Sequence, residues 1–282
     1  MKNVEEFSFD VVFKNTDIVT SAFFPSLKIK CPASLKGNYD EKNNILSFNS
    51  DFPLISFNES KFSKCTFSAN TKDNYFWIDA YCQRLSLSDS VWIDSVSVVS
   101  SVARDTASFN ISWHNGTQLQ HKGDVPGYIA FFNQPESGGS KVKVKLLPTE
   151  ITIADSTWNL TEENEVLIDS SLIKIQNINF VCGKQRVKLD GNISNVKEDH
   201  FYLMLTSFSL ANLNTYLRGT DLSFYGTVSG NTSISSLHSK PMFGSSLDIK
   251  DFRINKELIG DGSIVSISVS YTHLTLPTNR EV

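Results

Sequence analysis

Apolar and polar residues alternate with period two along nearly the whole chain, the pattern of strands that turn one face to a core and the other to water. Phe7, Phe9, Val11 and Phe13 alternate with Ser8, Asp10, Val12 and Lys14. Phe109, Ile111 and Trp113 alternate with Ser108, Asn110 and Ser112, and Val142, Val144 and Leu146 with Lys141, Lys143 and Lys145. The same rhythm holds Leu27/Ile29, Val187/Leu189, Leu203/Leu205, Leu247/Ile249 and Val265/Ile267/Val269. Turn signals separate the runs at Asp73-Asn74, Asn115-Gly116, Ser137-Gly138-Gly139, Cys182-Gly183-Lys184 and Ser229-Gly230-Asn231. Connections this short predict antiparallel neighbours. One helix is expected near 209–218, where Leu210, Leu213 and Leu217 share a face, Ser209 caps the start and Gly219 ends it.

These elements predict an all-β chain with no Pro- or Ser-rich linker, read as one continuous segment over 1–269 with a weak boundary near 134–140. The alternation suits either a closed β-sandwich core or an open trough. Composition adds that 40% apolar residues, including 20 Phe, can build a large buried surface, which excludes a disordered chain. The net charge of −4 carries no basic block, so no nucleic-acid partner is expected. No export signal opens the chain and no apolar run reaches 18 residues. Residues 270–282 resemble translated sequencing-adapter sequence, which predicts a non-native tail joined to a strand interrupted near Val269.

The four cysteines lack metal-binding spacing. With Asp73-Asn74 as a two-residue hairpin turn, counting outward from Lys72 and Tyr75 sets Cys65 opposite Cys82 in a non-hydrogen-bonded pair. Phe67 then faces Ala80, and Ala69 faces Ile78. A cross-strand disulfide and two buried free thiols both fit this register. Nothing in the sequence sets the redox state of Cys31 and Cys182.

Catalytic signatures are sparse. His114, His121, His200, His238 and His273 stand apart and read as exposed loop residues, so no metal site is expected, and no phosphate loop, dinucleotide fingerprint or nucleophile elbow is present. Gly226-Thr-Val-Ser-Gly230 reads as a bulge or tight turn between strands. The pairs Glu162/Glu163 and Glu198/Asp199 suit glycosidase chemistry only if they converge across a cleft, and their polar settings read as solvated connections. Six Asn-x-Ser/Thr sequons, at Asn58, Asn110, Asn115, Asn159, Asn192 and Asn231, are what a chain rich in these residues yields by chance. No catalytic residue and no cofactor is therefore expected.

A longer pattern runs from 151 to 262. It comprises Ile151-x-Ile153-x-Asp155-x-x-Trp158-x-Leu160, Ile173-x-Ile175-x-Asn177-x-x-Phe180, and Gln185-x-Val187-x-Leu189-Asp190-Gly191-x-Ile193-Ser194. Phe208-Ser-Leu210-x-x-Leu213, Gly226-x-Val228-Ser-Gly230, Pro241-x-Phe243 and Leu258-Ile-Gly260 continue it. In order and spacing this stretch resembles the repetitive β region of TamB-like members of the AsmA family, especially the long Bacteroidetes versions. The resemblance implies an internal fragment of a translocation and assembly module, with the family's N-terminal membrane helix and C-terminal domain outside it.

It further implies an elongated antiparallel sheet curled into an open, taco-like groove in the periplasm of a Gram-negative bacterium, anchored to the inner membrane through the missing helix. Its expected partners are phospholipid acyl chains and, through the missing C-terminal part, an outer-membrane β-barrel. One parity per strand then supplies the expected groove lining: Phe7, Phe9, Val11, Phe13, Phe109, Ile111, Trp113, Val142, Val144, Leu146, Val187, Leu189, Leu203, Leu205, Leu247 and Ile249.

The function this implies is noncatalytic: conduction of phospholipid between inner and outer membranes, assistance to outer-membrane protein assembly, or both. The alternative is a cell-surface β-sandwich that binds glycan or protein through loops holding Trp92, Trp113 or Trp158, with a polysaccharide enzyme third.

Overall fold

The computed structural model describes residues 6–87, 92–115, 121–134, 139–153, 155–217, 220–236 and 241–267. The expectations for Gly116, 137–138, Gly219, His238, Val269, His273 and the tail 270–282 lie outside these residues. In chain order the elements are β1 (Glu6–Phe13), α1 (Asp17–Phe23), β2 (Leu27–Lys30), β3 (Ala33–Asp40), β4 (Ile45–Phe57), β5 (Ser60–Lys72), β6 (Tyr75–Ser86), β7 (Trp92–Ala103) and β8 (Thr106–Asn115). They continue as β9 (His121–Gln134), β10 (Gly139–Leu146), β11 (Thr149–Ile153), β12 (Ser156–Leu160), β13 (Glu165–Ile168), β14 (Leu172–Cys182), β15 (Gln185–Ser194) and β16 (His200–Ser209). A 3₁₀ helix, Leu210–Leu217, precedes β17 (Phe224–Ser235), β18 (Met242–Ile254) and β19 (Glu257–Ile267).

Among the described residues, all 19 strands join one antiparallel sheet that does not close into a barrel. Three positions across the sheet hold two short strands end to end. β2 and β3 share β4, β10 and β11 share β9, and β12 and β13 share β14. Asn164 bridges one of the resulting gaps: its Oδ1 accepts from the Leu146 N–H and its Nδ2 donates to the Leu146 carbonyl, both at 3.0 Å. A buried side chain thus supplies the pairing that the missing strand residue would have made.

The hairpin at Asp73-Asn74 has the expected register. Both turn residues have positive φ, 54° and 66°, as a type I′ turn requires. Lys72 faces Tyr75, Ala69 faces Ile78, Phe67 faces Ala80, and Cys65 faces Cys82. The two cysteines form a disulfide, their Cα atoms 4.1 Å apart, while Cys31 and Cys182 are free. Disulfides persist where thiols are not kept reduced, so this one suggests an oxidising, extracytoplasmic compartment. No helix among the described residues is long and apolar enough to cross a membrane.

Several expectations change. The helix expected at 209–218 is a 3₁₀ helix over Leu210–Leu217, and Ser209 ends β16 instead of capping it. Helix α1 carries no signal in the sequence pattern: Ile18 and Phe23 face solvent, so there is no buried stripe for periodicity to reveal. Its start is held locally, by the Asn15 Oδ1 accepting from the Asp17 N–H at 2.7 Å. Ser229-Gly230-Asn231 is no turn but lies inside β17, paired on both sides, and the irregularity falls at Gly226 as a bulge. His114, His121 and His200 sit in strands and not in loops, as do Trp92, Trp113 and Trp158. With one sheet and strand-borne tryptophans, the loop-bearing sandwich loses its structural basis.

Candidate functional site

Residues directly opposite one another on paired strands share a face of the sheet. One row runs Phe9, Gly37, Phe48, Ala69, Ile78, Ser100, Phe109, Gly127, Leu146, each facing the next. A parallel row runs Val11, Leu35, Ser50, Phe67, Ala80, Val98, Ile111, Val125. A third crosses into the C-terminal half: Phe76, Val102, Ala107, Ile129, Val144, Val166, Ile175, Gly191, Phe201, Ile234, Phe243. Ala107 and Phe109, like Val144 and Leu146, are two residues apart, so the rows lie on the same face. No charged side chain interrupts any of the three.

Register places all sixteen expected lining residues on this face. Phe7, Phe9, Val11 and Phe13 sit on β1, Phe109, Ile111 and Trp113 on β8, and Val142, Val144 and Leu146 on β10. Val187 faces Leu205 and Leu189 faces Leu203, while Leu247 and Ile249 face Gly230 and Val228. None of the sixteen is buried: Phe7, Val11 and Ile111 are exposed and the others half-buried. Among the described residues the fully buried large side chain is Leu160. A sandwich core would bury most of this row beneath a second sheet. Here the face is open.

Glycines and aromatic rings share the floor of that face. The Phe9 ring lies over Gly37, Phe109 over Gly127 and Trp113 over Gly123, so close that a Cβ on any of these glycines would meet the ring. Each ring thereby covers a neighbouring strand that has no side chain of its own to offer. Such pairs leave no trace in a period-two pattern, because each glycine reads only as a gap.

Curvature comes from bulges. Positive φ at Asn177, Ser207, Gly226 and Asp251 accompanies register shifts along β14, β16, β17 and β18. The bulge in β14 moves the inward positions from Ile173 and Ile175 to Ile178 and Phe180, keeping the apolar set on one face. Amides beside three bulges find acceptors on the next strand: Asn177 N–H on Asp190 Oδ2 at 3.0 Å, Ser207 N–H on Ser229 Oγ at 2.8 Å, and Asp251 N–H on Asp261 Oδ1 at 2.8 Å. On a flat sheet the three strand spacings from β12 to β16 span about 14 Å. The rings of Trp158 and Phe208, on those strands, lie 6.0 Å apart, so the sheet curls inward here.

The opposite face carries ion pairs among exposed apolar side chains such as Val12, Trp77 and Val99. Lys36 Nζ meets Asp10 Oδ2 at 2.9 Å and Lys143 Nζ meets Glu165 Oε2 at 2.7 Å, the latter holding the Lys143 ammonium above its ordinary pKa. The acidic pairs lie in connections. The Glu162 carboxyl is held below its usual range, first by the Asn177 side chain and then by Asn179, and that of Asp199 by the Ser194 hydroxyl and then Asn192. A glycosidase acid needs the opposite shift. No cluster of three metal-ligating side chains occurs among the described residues.

No protein-family model, curated protein or solved structure matches this chain.

Proposed function

We propose that the chain is a noncatalytic segment of a periplasm-spanning protein that conducts phospholipid between the inner and outer membranes of a Gram-negative bacterium, assists outer-membrane protein assembly, or both, by means of its apolar face. The supporting observation is the row from Phe76 to Phe243, which carries uncharged side chains across the sheet while its neighbours on the same face stay open to solvent. The disulfide accords with the periplasm, and the residues of 151–262 resemble TamB-like sequences. The partners this reading names are phospholipid acyl chains and an outer-membrane β-barrel.

The physics of the task matches such a face. Exposing an acyl chain to water costs about 0.8 kcal/mol per methylene, on the order of 10 kcal/mol for a whole chain. A continuous apolar floor removes much of that cost while the headgroup stays hydrated. Because apolar contact is non-directional, a lipid held this way can slide, and no single residue is essential.

The test is native mass spectrometry with lipid extraction on protein expressed in a Gram-negative periplasm. Phospholipid should co-purify, and Val144→Trp and Leu205→Trp, which raise bulk in the middle of the floor, should each reduce it severalfold. Lipid-free protein, or lipid indifferent to both substitutions, would overturn the proposal.

A further inference from the structure

Where the sheet curls most tightly, the open face closes into a pocket of about 200 Å³ lined by Ile153, Trp158, Phe180, Phe208 and Leu213. That pocket continues the apolar floor. A second apolar feature lies apart from the floor, on helix α1 between β1 and β2.

A surface helix ordinarily turns its large apolar side chains to the core and its polar ones to water. In α1 the order is inverted. Thr16, at its start, and Thr20 are buried, and the Thr16 hydroxyl donates to the Ile29 carbonyl of β2 at 3.2 Å. Ile18 is 84% exposed, Phe23 73% and Phe24, at the helix end, 63%. Among the described residues no large apolar side chain is more exposed than Ile18. The chain then turns back: the Leu27 N–H donates to the Phe24 carbonyl at 2.8 Å, and the Asn58 N–H to the Ser26 carbonyl at 3.0 Å. These bonds bring exposed Phe57, which faces Leu27, to the same corner of the sheet as Phe24. Apolar side chains left out together in this way mark a contact surface.

The charges around that corner select its partner. From 14 to 30, Lys14, Lys28 and Lys30 stand against Asp17 alone, in a chain whose net charge is −4. Glu59 and Lys61 on the neighbouring strands balance each other, so the local excess stays positive. Lys14, Lys28 and Lys30 are all exposed, and Lys28 lies in one row with Ser56 and Lys61. Exposed rings with lysines alongside match a lipid leaflet, which offers anionic phosphates at its surface and hydrocarbon just beneath.

We propose that α1 and the adjoining corner of the sheet form a docking tip for an anionic phospholipid surface. Ile18, Phe23, Phe24 and Phe57 enter the headgroup boundary, and Lys14, Lys28 and Lys30 meet the phosphates. Contacts so few give reversible adsorption, not anchoring. The tip stands on α1 and its corner, whether or not the floor conducts lipid.

Vesicle flotation tests this, with vesicles of phosphatidylethanolamine and phosphatidylglycerol compared with vesicles of phosphatidylcholine. Native protein should float with the anionic vesicles and far less with the neutral ones. Phe23→Gln and Phe24→Gln should each lower the partition coefficient about 10-fold. Lys28→Gln and Lys30→Gln should each lower it about 5-fold on anionic vesicles and leave binding to neutral ones unchanged. Val265→Thr removes an equally exposed apolar side chain, 73%, from β19 and should have no effect. All five positions are exposed, so circular dichroism should show unchanged folding. Native protein that stays off anionic vesicles, or Val265→Thr lowering binding as much as Phe23→Gln, overturns the tip. A native dimer that Phe23→Gln dissolves, without vesicle binding, overturns it in favour of a second copy of the chain at this corner.

Discussion

The strands β3–β8 and β14–β18 carry the same alternation and end up differently. In the first region the pairings keep one register from end to end, and the inner face stays shallow, with Ile111 38% exposed. In the second, bulges interrupt three of the four strand pairs, and the adjoining Trp158 falls to 4% exposure against Phe208. An extra residue in one strand bends and twists it locally, so a line of bulges rolls the sheet toward its apolar side. One pattern thus yields a floor in one place and a pocket in another. The difference lies in a few backbone positions, not in hydrophobicity.

The contrast is sharpest for burial itself. Leu160, at 0% exposure beside the curl, should cost about 4 kcal/mol when cut to alanine, while Ile111→Ala on the open floor should cost less than about 1 kcal/mol. Urea unfolding of the two variants measures this; equal costs would mean that the two regions are packed alike.

Glycines offer a second comparison. At Gly230 φ is 135° and an added Cβ would meet the Ser246 carbonyl oxygen, which the ladder holds in place. Gly230→Ala should therefore lose about 3 kcal/mol. Gly37→Ala should lose about 1 kcal/mol, because the atoms in the way belong to the Phe9 ring, which can swing toward the open face. The urea midpoints of the two variants rank them, and the reverse order would break the comparison.

The smallest effect concerns acid. Glu162, Asp169 and Asp199 in the C-terminal half have carboxyls held below their usual range, Asp169 chiefly by the Ser171 N–H, while Asp40, held first by the Asn43 side chain, is the counterpart in the N-terminal half. A carboxyl whose folded pKa is depressed contributes stability that is present above its unfolded pKa, about 4, and lost as pH falls through the folded value. Between about pH 5 and 2, amide protection should decline more in β15 and β16 than in β3 and β4. Asp199→Asn should flatten part of that decline, and an unchanged profile would remove Asp199 from the account.

Much of the sheet is legible in the order of residues alone. A hairpin turn of two residues sets register by counting, which is why the Cys65–Cys82 pairing follows from Asp73-Asn74. Period two places the sixteen alternating apolar residues on one face because each strand position has only two choices. The chain is less legible where that rule is suspended. Ser207 and Asp251 carry no residue-type signature of a bulge, and Asn164 reads as a loop residue although it stands in for backbone. Helix α1 buries no stripe, so its sequence offers no periodicity. The Trp158 pocket joins β12 to β16 and to a 3₁₀ helix, through a curl that no local window contains.

The sequence by itself determined that the chain forms antiparallel strands, that the alternating set from Phe7 to Ile249 shares one face, and that two cysteines face each other across a hairpin. Each of these depends on neighbours in sequence or on a short turn. Whether that face would be sealed beneath a second sheet or left open, and where it would fold over into a pocket, was decided only by the tertiary structure. Those outcomes depend on twist and bulge geometry summed over many strands, and each strand contributes too little to be read alone.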